Sequence, residues 1–121
     1  EAAKLKMETF ELLDKQIKSP ETEQKELIRC LRARVALNQY FKDHSAVISD
    51  CFQLLSLLAT NTERGRVFAT IGKAHANSNN PSHALLYHVK AYREDAAYNI
   101  QFPMYASSNQ VLGWIKSLSY Q

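Results

Sequence analysis

An all-α fold of stacked helical hairpins is what this sequence predicts, and three observations carry the prediction. Only three glycines and three prolines interrupt 121 residues. Between them apolar side chains recur at gaps of three and four, the spacing that lines one face of a helix, and no strand pattern appears. The stretch Phe68 to Ala91 then holds two amphipathic patterns of similar length, joined by the polar run Asn77-Ser78-Asn79-Asn80-Pro81. A hairpin of that size cannot bury both of its faces alone. It calls for neighbours, as stacked repeats do.

The first helix runs to Lys18, with Ala3, Met7, Phe10, Leu13 and Ile17 on one stripe and Glu1, Lys4, Glu8, Glu11 and Lys15 left to water. Ser19 is placed to cap a second helix and Pro20 to open it, since a proline at the first helical position forfeits no hydrogen bond. That helix runs to about Phe41 or Lys42 and carries Leu27, Ile28, Leu31, Val35, Leu37, Tyr40 and Phe41 on more than one face. Asp43-His44-Ser45 breaks it, and Ser45 caps a third helix with Val47, Ile48, Phe52, Leu54, Leu55 and Leu58. Asn61 or Thr62 caps the fourth. Asn80 caps the fifth, with Pro81 as its first residue, and the fifth continues to about Asn99. Phe102-Pro103 interrupts, because the residue before proline avoids helical geometry. A sixth helix follows with Tyr105, Val111, Leu112, Trp114, Ile115 and Leu118. The expected organisation is one domain over 1–121: a flanking helix at 1–18, repeats at 20–60 and 63–99, and a C-terminal helix at 103–119.

Composition narrows the function. The hydrophobic fraction of 45% is that of a folded soluble domain, and the net charge of +3 is spread rather than blocked. No apolar run approaches the roughly 18 residues of a membrane span, and no signal peptide is visible. The chain opens on Glu1 and reads as an excised piece of a longer protein, expected in the cytoplasm. Cys30 and Cys51 fall inside helices among apolar neighbours and read as buried free thiols. His44, His75, His83 and His88 show no ligand spacing. Adjacent pairs such as Glu94-Asp95 point apart on a helix, and no catalytic motif occurs. The expectation is no enzyme, no cofactor and no metal.

The most specific signal is internal. Tyr40, Ser49 and Ser56 recur as His75, Ala84 and Ala91, offset by 35, and Ile71-Gly72 recurs as Leu112-Gly113, offset by 41. Small residues on the second helix of a hairpin let it approach the first closely. At these residues the chain resembles the tetratricopeptide repeat family, whose first helix carries a bulky aromatic, then Leu-Gly, then Tyr. Here those places hold Phe68, Ile71-Gly72 and His75, and the small residues of the second helix are Ala84 and Ala91. His88 stands for the family's second-helix aromatic, and in the first copy Leu37 stands for glycine. The longer second offset is similar to the extended repeats of kinesin light chain.

The resemblance implies a short right-handed solenoid whose first helices line a concave groove for an extended peptide or a partner's helix. Matching by motif puts Arg34, Asn38 and Lys42 of the first copy on that surface, then Arg66, Thr70, Lys73 and Asn77 of the second, with Gln110 and Trp114 from the last helix. Cationic and amide donors on one face suit an acidic partner or a terminal carboxylate. Arg34 with Asn38 is similar to half of a carboxylate clamp, whereas Thr70 stands where the second Asn is required. Two alternatives stay open. Arg29, Arg32 and Arg34 could meet phosphates of RNA or anionic lipid headgroups, or the apolar last helix could drive self-association.

Overall fold

A computed structural model describes residues 2–95 of the chain. Five helices follow one another: α1 (Ala2–Lys18), α2 (Gln24–Tyr40), α3 (His44–Leu55), α4 (Asn61–Asn77) and α5 (Pro81–Glu94). No strand occurs among the described residues, and the all-α expectation holds. The sixth helix expected at 103–119 lies outside them. The chain divides into two compact units, Glu1–Leu57 and Leu58–Gln121.

In the first unit α2 packs against α3 and α1 against α2. Phe10, Leu13 and Ile17 are half-buried, while the stripe expected for α1 gives out towards its start, where Ala3 and Met7 are exposed. The core is Cys30, Leu31 and Val35 of α2 with Val47, Cys51 and Leu54 of α3. In the second unit α4 packs against α5 over Ala69, Val89, Ala91 and Tyr92, flanked by Phe68 and Leu85. Gly72 lets the two helices close: a Cβ built there would sit 2.8 Å from Nε2 of His88.

Several boundaries move from where sequence places them. Pro20 lies in a turn rather than opening α2, which starts four residues later behind Glu23. The Ser19 hydroxyl instead accepts the backbone N–H of Glu21, at 3.3 Å. Asp43, not Ser45, caps α3 by accepting the N–H of Ala46, and Thr60, not Asn61 or Thr62, caps α4 by accepting that of Glu63. In each case the true cap sits three residues before its donor, the reach of a short oxygen-bearing side chain. Helix α3 stops at Leu55 rather than Leu58, and α5 stops at Glu94, where Asp95 turns extended.

The two hairpins share one turn. Beyond Tyr40, the N–H of Asp43 reaches the carbonyl of Asn38 at 2.9 Å and that of Lys42 reaches Gln39 at 3.1 Å. Beyond Asn77, Asn80 reaches His75 at 2.9 Å and Asn79 reaches Ala76 at 3.1 Å. Lys42 and Asn79 occupy the left-handed region with φ of 60° and 59°. This is a Schellman closure whose last residue serves as the next N-cap. Each pair of equivalents is 37 residues apart, as are the starts of α2 and α4, their ends, and the starts of α3 and α5.

The offset of 35 read from small residues is therefore corrected. At that offset Ser49 and Ser56 would pack like Ala84 and Ala91, yet both serines are exposed. The buried apolar positions of α3 are Val47, Cys51 and Leu54, each 37 before a buried residue of α5: Ala84, His88 and Ala91.

Candidate functional site

Helix α4 is buried along Gly65, Ala69 and Gly72 and along a second row, Val67, Ile71 and Ala74. What remains outward is a stripe at spacings of four, three and four: Arg66, Thr70, Lys73 and Asn77. Such positions project together on a helix. Arg66, Lys73 and Asn77 are exposed, and none makes a side-chain hydrogen bond or ion pair to another described residue. Thr70 is half-buried, and its hydroxyl donates to the Arg66 carbonyl at 3.0 Å. The stripe thus offers a guanidinium, an ammonium and an amide to solvent.

The 37-residue equivalence locates the same face on α2 at Arg29, Ala33, Ala36 and Tyr40, all exposed. Arg29 holds Glu26 at 3.3 Å, one turn back and open to water. Tyr40 is 78% exposed and meets the Phe41 ring edge-on at 5.0 Å. Sequence matching missed both Arg29 and Tyr40 as members of this face, because it slid the first copy by two residues.

Arg34 and Asn38 are turned inward. The Arg34 guanidinium donates from Nε and Nη2 to the two oxygens of Asp50, at 2.9 and 2.6 Å, and from Nη1 to Asp14 at 2.7 Å. Asn38, buried, donates to Asp50 at 3.4 Å. Asp50 is only 4% exposed, so this bidentate pair joins α2 to α3 inside the hairpin. The Asp50 hydrogen bonds also raise the Arg34 pKa above its ordinary value. Lys42 sits in the turn beyond α2, not on its face. Gln110 and Trp114 lie outside the described residues.

Along the seam of α4 and α5 runs a ladder of rings. His75 stacks on Tyr87 with centroids 5.4 Å apart and planes 9° apart, and Phe68 stacks on Tyr87 at 6.4 Å. His83 approaches His75 at 5.1 Å. Lys90 lies over Tyr87 and Phe68, at 5.7 and 6.0 Å. Eight residues separate the two histidines in sequence, across a turn, so no spacing within one helix announces the pair. Burial, then the neighbouring His83, lowers the His75 pKa.

Cys30 and Cys51 are free and buried, in keeping with the sequence reading. Burial and then Asp50 push the Cys51 thiol up to about 12, so it is no thiolate at neutral pH. An open hollow of about 390 Å³ between the end of α1 and the start of α2 is lined by Gln16, Ser19, Glu21, Thr22, Glu23 and Glu26. None of these side chains is buried. Among the described residues no group of three or more His, Cys, Asp or Glu converges on a metal position, and no helix is long and apolar enough to cross a membrane. Comparison with protein-family models, with curated proteins and with solved structures finds no match for this chain, so the tetratricopeptide resemblance rests on the residues quoted for it.

Proposed function

We propose that the chain is a non-catalytic protein-interaction module, tetratricopeptide-like in plan, that holds a peptide or helix of a partner on the outward face of α4. One observation carries the reading: Arg66, Lys73 and Asn77 stand in line on a helix anchored along two other faces, with their donors unspent. A buried cation would need a partner from its own chain; an exposed row of them is free to take one from outside. Carboxylates of an acidic segment, or its backbone carbonyls, match those donors.

The phosphate-binding alternative draws on Arg29, Arg32 and Arg34, but Arg34 is neutralised by Asp50 and Asp14, and Arg29 is paired with Glu26. Interaction with an acidic peptide is the reading we keep.

The test is a fluorescence-polarisation screen of acidic and neutral peptides against the full chain. The expected result is a preference for acidic peptides that weakens about tenfold in Arg66→Ala/Lys73→Ala. If the double variant binds its best peptide as tightly as the parent does, the assignment of this face fails.

A further inference from the structure

We propose that His75 and His83 form a two-point site for a divalent transition-metal ion that favours imidazole, with Asn80 orienting His83 and water completing the coordination. The first ground is distance. Two imidazoles bound to one tetrahedral ion through nitrogens about 2.0–2.1 Å from the metal have ring centroids about 5 Å apart. The His75 and His83 centroids are 5.1 Å apart, with planes tilted by 31°.

The second ground is the behaviour of Asn80. Its equivalent in the first hairpin, Asp43, spends its side chain on the helix cap, accepting the N–H of Ala46. Asn80 occupies the same cap position but makes no side-chain cap bond. Its Oδ1 lies 3.0 Å from Nδ1 of His83 instead. With Oδ1 accepting, Nδ1 carries the proton and Nε2 presents its lone pair. Metal-binding imidazoles are commonly fixed in this way through the nitrogen that does not bind the ion.

The third ground is that the fold does not need these residues. The same Schellman turn closes the first hairpin with Asn38 and Ala46 in the places of His75 and His83. In the second hairpin the N–H of Asn80 bonds the His75 carbonyl at 2.9 Å, so one rigid turn holds both rings. With two protein ligands the site is open and exchangeable, and among common ions Cu²⁺ should bind most tightly.

The experiment is calorimetric titration of the full chain with CuCl₂ at pH 7.5, with electron paramagnetic resonance to count coordinated nitrogens. Binding should be one-to-one, carry the signature of two imidazoles, and raise the melting temperature. It should weaken at least about tenfold in His83→Ala and in His75→Phe, which keeps a ring against Tyr87, and by a smaller factor in Asn80→Ala, while His44→Ala leaves it unchanged. No saturable binding below about 1 mM overturns the proposal, as does binding that survives either His75→Phe or His83→Ala. Circular dichroism of each variant separates loss of the site from loss of the hairpin.

Discussion

His88 is the residue whose surroundings most oppose its chemistry. It is 3% exposed, and burial lowers its pKa to about 4 from an ordinary 6.5. The folded chain therefore keeps this imidazole neutral where the unfolded chain would bind a proton. The stability it leaves intact above about pH 6.5 is lost as pH falls towards 4, by up to about 3 kcal/mol. Urea melts at pH 7.5 and 4.5 should show that loss, and His88→Phe should remove most of it. Gly72 is the other half of the contact. A methyl group there meets the His88 ring, so Gly72→Ala should cost about 1–3 kcal/mol, shrinking towards zero in a His88→Ala background. Sequence marked Gly72 as a packing residue and His88 as an aromatic substitute. That the two touch followed only from the closed hairpin.

At the scale of the element, the turns do the organising. Each hairpin turns on one residue in the left-handed region, Lys42 in the first and Asn79 in the second. Lysine has no local hydrogen bond to offset the crowding of its Cβ, whereas asparagine tolerates the region better. Lys42→Gly should therefore stabilise the chain, by up to about 1 kcal/mol, and Asn79→Gly by less; paired thermal melts would show the ranking. Lys42 does not announce a turn by type, so the first turn is legible only from Asp43-His44-Ser45 beside it, whereas Asn79 belongs to the polar run that marks the second. The caps were legible only to within two residues, because Thr60, Asn61 and Thr62 all carry side-chain oxygens able to accept a cap hydrogen bond. Which one serves depends on where the preceding chain delivers it.

For the molecule as a whole, the two hairpins repeat at an interval of 37 residues. Registering them at 37 residues moves the first hairpin's counterpart of the α4 stripe from Arg34, Asn38 and Lys42 to Arg29, Ala33, Ala36 and Tyr40. What sequence by itself determined is the helical class and the two hairpins. Those follow from a 3.6-residue period and from breakers, which are local. Tertiary structure alone decided the repeat register, the inward turn of Arg34 and the meeting of His75 with His83. A slip of two residues along a helix rotates every side chain by about 200°. Matching by small residues thus paired the exposed Ser49 and Ser56 with the buried Ala84 and Ala91. Only the shared turn, a backbone feature built there with different side chains, could supply the true alignment.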